Sequence, residues 1–458
     1  MTSKDPATDT AAQPSLGARI SQSLSDPVLR ALVASTAVSR IGRGVFLSVT
    51  VLYFTLIIGL SAGEAAVVLA VSSAFGVLAS FLGGWLSDRR SARRLTFAFE
   101  ALGAVLLATY AFANTFVAAL VIATLAGFFD TISHSSRSAI IARGFAPDKR
   151  VHARAVLRTV TNLSLALGAG VAAVALALGT PEAYRAVIVG AGVLGILGTL
   201  PLLRLPASVD APSRTVEPVR TETGSIDTRN TADAARAARL DWRRRSPWRD
   251  RRYLLLTLLS AIFGMQFGVA ELGVPLWITE RTTAPDVMVA AILFLNTTLV
   301  VLFQVRASRG THDVRVAGRV TMIAGWLMAA ACVVYALAAG LPTWFAVVIL
   351  LSAAVLHTFA EILSQAGAWG LSFELADSVR AGAYQGVFGM GFSVGALAAP
   401  IVVNATAITY GLIGWIVLGA VFLGSAAGIW LIARRASGTP DRETPGHASG
   451  DVAAPQPA

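Results

Sequence analysis

The sequence has little charge, almost no lysine and a single cysteine. Only 14% of its 458 residues are charged, well below the roughly 25% of a soluble domain. With 55% apolar residues, the chain has more apolar side chains than a water-soluble domain can bury, and too many for a disordered chain. The lone Cys332 excludes a disulfide framework and a zinc site built on paired cysteines. Lysine occurs only at Lys4 and Lys149, so the net charge of +11 comes almost wholly from arginine.

Long apolar runs take up most of the chain. A bilayer core about 30 Å thick needs about 20 apolar residues in a helix. Twelve such runs predict an all-α membrane protein with twelve transmembrane helices, and their continuous rather than alternating pattern excludes a β-barrel. The runs are approximately Ala31–Ile58, Glu64–Leu86, Leu95–Asn114, Val117–Ile141, Val156–Leu178, Ala186–Leu203, Tyr253–Leu276, Val287–Phe303, Val320–Ala339, Pro342–Gln365, Tyr384–Thr406 and Gly411–Ile432.

The spacing of these runs predicts two pseudo-symmetric six-helix bundles, at residues 31–204 and 253–433. The basic segment 205–252 between them is predicted to be a cytoplasmic loop. Its Thr231–Arg245 stretch could form a basic helix attracted to anionic lipid headgroups rather than to nucleic acid. Residues 1–30 and 434–458 are predicted to be cytoplasmic tails, the second of them disordered.

The loops carry positive charge on one side of the predicted bundle only. The opposite set of loops contains little beyond Arg185 and Arg281. Because basic loops stay in the cytoplasm, both termini and the central loop are predicted to be cytoplasmic, in the inner membrane. The basic set is Arg89, Arg90, Arg93, Arg94, Arg143, Lys149, Arg150, Arg306, Arg309, Arg315, Arg434 and Arg435.

The two halves align as an internal repeat. Predicted helix 4 contains GFFDTISHSSRSA from Gly127, and helix 10 contains AVLHTFAEILSQA from Ala354. At an offset of 227 residues, Asp130 aligns with His357 and His134 with Glu361. Repeated halves with related polar positions are typical of a two-lobed transporter whose site lies between the lobes.

The most specific motif is GWLSDRRSARR, which spans Gly84 to Arg94. A glycine permits close helix contact, and Asp88 at a helix end could pair with arginines or with a helix N-terminus. The motif resembles the GxLxDRxGRR pattern after helix 2 in the major facilitator superfamily, and the resemblance covers about Ala31–Ala433. The matching residues are Gly84, Leu86, Asp88, Arg89, Arg93 and Arg94.

Within that superfamily the chain resembles bacterial drug-efflux-type members, through VSRIGRGVF in helix 1 and RAVLRTVTNLSLALGAG in helix 5. The resemblance implies a drug:proton antiporter, a secondary transporter that works by alternating access and exports an amphipathic small molecule. Such antiporters often carry a Gly-Pro pair where this chain has Gly168 and Ala169. Proton-coupled uptake of a polar solute or metabolite therefore remains an alternative.

Ionisable residues inside membrane helices are the default functional candidates, because each costs about 2.5–3.5 kcal/mol at the bilayer centre. The predicted proton-coupling residues are Glu361, His357, Asp130 and His134. The predicted substrate cavity has polar and aromatic members. These are Arg40, Arg43, Asn162, Gln266, Glu271, Asn296, Gln365, Phe128, Phe129, Trp369 and Phe392.

Structural explanations compete for several of these charges. Arg137 and Arg158 could be anchors at the cytoplasmic interface, and Glu100 could extend to that interface. Arg40 could belong to a buried structural ion pair. His357 and Glu361 could form an interhelical hydrogen-bonded pair.

No cofactor, metal or nucleotide motor is predicted. There is no GxxxxGK[ST] loop, so energy should come from a proton gradient. The GxGxxG pattern at Gly190–Gly195 lies inside an apolar run rather than after a strand, which favours helix packing over dinucleotide binding. The absence of a nucleophile–base or HExxH pattern argues against an enzyme. The expected partners are a small-molecule substrate and the lipid bilayer, with the protein as a monomer; a transporter-like sensor is the alternative from another class.

Overall fold

The computed structural model describes residues 25–210, 242 and 245–437, all helix, turn or irregular segment with no strand. Of the predicted basic helix at Thr231–Arg245, only Trp242 and Arg245 are among them. Most of the two predicted tails also lies outside the described residues.

Six helices form the N-terminal lobe. The first continues as a π-helix at Tyr53–Ile57, and the third and sixth end in 3₁₀ turns at Tyr110–Phe112 and Leu200–Arg204. The helices are α1 Pro27–Leu52, α2 Ala62–Ser87, α3 Ala92–Thr109, α4 Phe116–Gly144, α5 Pro147–Leu178 and α6 Pro181–Thr199.

Six further helices form the C-terminal lobe. The first of them, α7, runs from Arg251 to Arg281 with a π-helical turn at Val269–Gly273. The others are α8 Val287–Ala307, α9 Val314–Leu337, α10 Thr343–Glu374, α11 Ala381–Val403 and α12 Thr409–Ser437.

The predicted twelve membrane helices are found, although two of them are nearly continuous. Eleven segments of the described chain are long and apolar enough to cross a membrane, and the last, Ser378–Ser437, contains both α11 and α12. Helical geometry breaks inside this segment at Gly411, whose φ is 56°. This left-handed conformation is accessible to glycine because it lacks a Cβ atom.

Several helices extend beyond their apolar runs, and polar residues cap some of them. The Asp26 side chain accepts hydrogen bonds from the first turn of α1, and Asp313 does so for α9. Helix α5 begins nine residues before the predicted run, at Pro147, and α10 continues to Glu374 rather than Gln365. A hydropathy pattern detects only the part of a helix inside the lipid, so it underestimates both helices.

Packing within each lobe follows the internal repeat. Helices α4 and α10 begin at Phe116 and Thr343, which are the same 227 residues apart as the aligned motifs. In the N-terminal lobe α3 packs on α4 and α6, and in the C-terminal lobe the equivalent helix α9 packs on α10 and α12. The lobes meet where α2 contacts α11 and where α5 contacts α8 and α10.

Candidate functional site

Charged side chains of both lobes lie along the lobe interface. We call the end of the bundle that carries Arg89, Arg93, Arg143 and Arg150 the basic face, and the other end the opposite face. Helix α4 ends and α5 begins at the basic face.

Asp130 lies in an arginine cluster that belongs to the N-terminal lobe alone. Its carboxylate is 3.3 Å from the Arg40 guanidinium and 3.9 Å from that of Arg43, both on α1. The Asp130 side chain remains 34% exposed, so the cluster is open to its surroundings on one side. Arg40 thus pairs with a carboxylate, as the structural alternative expected, while that carboxylate is itself accessible.

Glu361 pairs across the lobes. One carboxylate oxygen accepts a hydrogen bond from Arg158 of α5, and the other accepts one from the Asn296 side chain of α8 at 2.8 Å. Asn296 also donates to the Thr358 hydroxyl at 3.2 Å. Glu361 is 5% exposed, so both of its oxygens are buried and satisfied. Arg158, eleven residues inside α5, is therefore an ion-pair partner between the lobes and not an interface anchor.

Arg137 is also not an interface anchor. It is 7% exposed, forms an ion pair with Glu100 of α3, and donates a hydrogen bond to Ser35 of α1 at 3.1 Å. Its second guanidinium nitrogen donates to Thr36. Glu100 correspondingly does not extend to the interface. This buried network ties α1, α3 and α4 together.

The two histidines have different environments. His134 on α4 is exposed. It lies close enough to Arg40, Arg154 and Asp130 for electrostatic interaction with their charges. His357 on α10 is 4% exposed, contacts the Tyr335 ring edge-on at 6.0 Å, and leaves Nε2 without a hydrogen-bond partner. Glu361 is therefore near His357 but takes its hydrogen bonds from other helices.

Only part of the predicted cavity set comes together. Asn296 donates a hydrogen bond to Glu361. The Trp369 ring lies beneath the guanidinium groups of Arg154 and Arg158, close to that carboxylate. Glu271 is exposed and lies near enough to Glu361 for the two charges to interact. Asn162 is one helical turn from Arg158 and half-buried.

The remaining predicted cavity residues lie elsewhere. Gln266, Gln365 and Phe392 line a small pocket inside the C-terminal lobe, where Gln266 donates to Ser364 at 2.9 Å. Phe129 packs on Phe99 of α3 at 5.4 Å between ring centroids, and Phe128 packs on Phe129. Helical periodicity indicates which residues share a face but not which neighbour that face meets, so the sequence does not show how these residues lie relative to one another.

Asp88 joins the two lobes at the basic face. Its carboxylate accepts hydrogen bonds from the backbone N–H groups of Gly382 at 2.8 Å and Ala383 at 2.7 Å, at the start of α11. It also pairs with Arg143 in the last turn of α4. Burial raises the pKa of Asp88, while Arg143 and the two N–H groups oppose the rise. We call this contact the latch.

The arginines of the motif itself do not contact Asp88. Arg89 stacks on Trp85 at 3.9 Å, and Arg93 binds Asp210 at 3.1 Å. For Arg94, the hydrogen bond found among the described residues runs from its backbone N–H to the Ser91 hydroxyl. Gly84 permits the contact, because a methyl group there would overlap the Gly382 carbonyl oxygen.

Three arginines at the lobe interface are absent from the predicted site residues. Arg154, Arg158 and Arg143 contact the lobe interface, although each looked like part of a basic loop or helix end. The i, i+4 spacing of Arg154 and Arg158 on one face of α5, well inside the helix, is the signal that could have identified them. Among the described residues, no three His, Cys, Asp or Glu side chains come together as metal ligands.

Two six-helix lobes, charges buried between them and a latch at one face define a multi-pass membrane transporter. The sequence model of the Major Facilitator Superfamily matches residues 32–400, and the chain belongs to that family. No curated protein matches the sequence.

Solved transporter structures share the fold at low sequence identity. The human organic anion transporter TETRAN is 17% identical with a TM-score of 0.64, over 88% of this chain and 99% of its own. A bacterial homologue of the iron transporter ferroportin, in an outward-facing state, is 13% identical with a TM-score of 0.66, over 90% and 99%. The proton:xylose symporter XylE is 14% identical with a TM-score of 0.60, over 90% and 96%.

Proposed function

We propose that this protein is a proton-coupled secondary transporter that exports an amphipathic small molecule across the inner membrane. It would resemble drug:proton antiporters and work as a monomer, without a cofactor, by rocking its two lobes around the charged interface. The observation that carries the proposal is the Arg158–Glu361 ion pair, which joins α5 of one lobe to α10 of the other inside the membrane.

Glu361 is the proposed proton carrier. Its carboxylate is held by Arg158 from the opposite lobe and by Asn296 from its own lobe. If the lobes separate, Glu361 loses its cationic partner, and a proton can then take the place of the Arg158 guanidinium on its carboxylate. Lobe movement and proton uptake are thereby linked through one ion pair.

Asp130 is the competing candidate for the coupling acid. Both of its arginine partners belong to its own lobe, so rocking leaves these ion pairs in place. Its side chain is nevertheless 34% exposed, against 5% for Glu361, so it is the more accessible of the two carboxylates. The two carboxylates can be separated by experiment because they occupy different lobes.

The coupling test compares Glu361→Gln with Asp130→Asn in proteoliposomes. Each variant is given a compound panel with and without an imposed proton gradient, and cargo flux and proton flux are recorded together. We expect Glu361→Gln to bind cargo and exchange it, but to lose gradient-driven transport. Asp130→Asn should keep coupled transport. If both variants move cargo against its gradient at the wild-type rate, neither carboxylate couples protons.

Proton-coupled uptake of a polar solute is the second candidate. It is favoured by the charged lining, because only Trp369 of the four predicted aromatic residues contacts the central arginines. Protons and cargo move in the same direction during uptake by symport and in opposite directions during export by antiport. A sensor would move neither.

The orientation proposal places the basic face in the cytoplasm, in agreement with the positive-inside rule. In a Cys332→Ala background, Arg281→Cys should react with an impermeant thiol reagent added to intact cells, because Arg281 is exposed at the opposite face. Thr231→Cys should react only after the cells are opened. Labelling of Thr231→Cys from outside would reverse the orientation.

A further inference from the structure

The two lobes carry unequal charge in the inner parts of their membrane helices, at least seven residues from either helix end. The N-terminal lobe contributes five arginines there, against the carboxylates of Glu100 and Asp130 and no others. The C-terminal lobe contributes Glu271 and Glu361 and no arginine. The five arginines are Arg40, Arg43, Arg137, Arg154 and Arg158. Positive charge is therefore in excess overall, and it is concentrated in the N-terminal lobe.

Arg154 holds the least compensated of these charges. It lies seven residues into α5, about 10 Å along the helix axis. In the part of the chain that the structure describes, no carboxylate is within 4 Å of it, and its guanidinium donates to the Ser138 hydroxyl at 3.0 Å. Its guanidinium carbon lies over the rings of Trp369 and Phe373, 5.5 and 5.9 Å from the ring centroids.

Arg158, one turn further along α5, also has an unused donor. Its Nε is buried without a hydrogen-bond partner, while another guanidinium nitrogen binds Glu361. Its guanidinium faces the Phe267 ring at 5.4 Å. A guanidinium stacked on aromatic rings keeps its N–H edge available, and that edge matches the geometry of a carboxylate or sulfonate.

We propose that the cargo is an amphipathic organic anion, whose acidic group binds Arg154 and Arg158 beside His134 and whose apolar body lies against the neighbouring aromatic rings. This inference rests on the proposed transport function and specifies its substrate class. An acidic group of the cargo that binds Arg158 competes with Glu361 for that guanidinium. Cargo binding therefore changes the ion pair between the lobes and is linked to lobe movement.

The test uses three probes with one ring system and different permanent charge. Naphthalenesulfonate is the anion, naphthalenesulfonamide the neutral analogue and naphthylmethyl-trimethylammonium the cation. Flux of each is measured in proteoliposomes against empty vesicles. We expect the sulfonate to move at least tenfold faster than the other two.

Arg154 variants locate the binding group. Arg154→Gln should reduce sulfonate flux at least tenfold, and Arg154→Lys should restore part of it because it keeps the charge. Arg30→Gln is the matched control, since Arg30 is exposed on the first turn of α1 and should leave flux unchanged. Arg154→Gln should not lower the melting temperature of the ligand-free protein, because it removes a charge without a carboxylate partner.

The outcomes separate this inference from the function on which it rests. If the cation or the neutral probe moves and the sulfonate does not, the protein is a transporter but its cargo is not an anion. If Arg154→Gln lowers the melting temperature and leaves sulfonate flux unchanged, Arg154 is a structural residue and the proposed site is wrong. If no probe moves faster than in empty vesicles, this inference fails, and the transport proposal is decided separately by the cargo and proton flux of the compound panel.

Discussion

Helices α4 and α10 occupy equivalent places in the two lobes but use their polar residues differently. On α4, Asp130 pairs with arginines of its own lobe, and His134 is exposed. On α10, Glu361 pairs with an arginine of the other lobe, and His357 is buried. Both copies of the repeat thus carry polar residues at the same positions, but those residues have different partners in the two lobes. On α4 the charges pair within the N-terminal lobe. The C-terminal lobe supplies Glu361, whose cationic partner lies in the other lobe and is lost if the lobes separate.

The largest expected effect concerns the buried charge of the N-terminal lobe. Arg137→Met should destabilise the protein by about 3–5 kcal/mol, because it leaves Glu100 buried without its cation. The melting temperature in detergent measures this loss. The double variant Arg137→Met with Glu100→Gln should recover most of the stability. An equal loss in both variants would mean that packing, not charge, holds this site together.

The second prediction concerns the latch, which joins the lobes through an ion pair and backbone hydrogen bonds. Asp88→Asn should weaken the closed basic face by about 1.5–3 kcal/mol, through loss of charge-assisted hydrogen bonds to Arg143 and α11. Transport should fall while membrane expression stays at the wild-type level. Normal transport would show that the motif serves topology alone.

Close packing of α2 on α11 gives a third contrast. Gly84→Ala should cost about 1–3 kcal/mol in the closed state, because the added methyl group meets the α11 backbone. Gly424→Ala is the control, since a Cβ there meets no atom within 4 Å. Accessibility of a cysteine at the basic face should rise in the first variant only. Equal accessibility in the two variants would contradict a role for this contact in closure.

The smallest effect compares equivalent caps in the two lobes. Asp26→Ala and Asp313→Ala should each cost about 1 kcal/mol of helix stability. Hydrogen bonds from the Val316 and Arg315 N–H groups lower the pKa of Asp313. Its contribution is therefore present above the pKa of an unfolded aspartate and is lost as the pH falls through the lowered pKa. The melting temperatures of Asp313→Ala and wild type should converge at acid pH. A difference that does not change with pH would show that the charge of the Asp313 carboxylate does not stabilise the helix.

Much of the fold could be predicted from the sequence, because lipid imposes a simple rule on it. A helix must keep about 20 apolar residues in the hydrocarbon core, so the runs identify the twelve membrane helices directly. Repeated polar positions on α4 and α10 are visible for the same reason, since charges stand out against an apolar background. The positions of Glu361, Asp130 and Asp88 therefore follow from the sequence alone.

Only the tertiary structure decided which of these charges meet. Glu361 finds Arg158 at a separation of 203 residues, and Asp88 finds the backbone of α11 at a separation of 294. Periodicity assigns a residue to one face of its own helix, but it does not say which helix that face contacts. For this reason the sequence leaves open whether Arg158 is an interface anchor or a buried partner, and it does not show that Phe129 packs on Phe99. A buried charge is stabilised by the partner within hydrogen-bonding distance, and that distance is set by how twelve helices pack, not by their order in the chain.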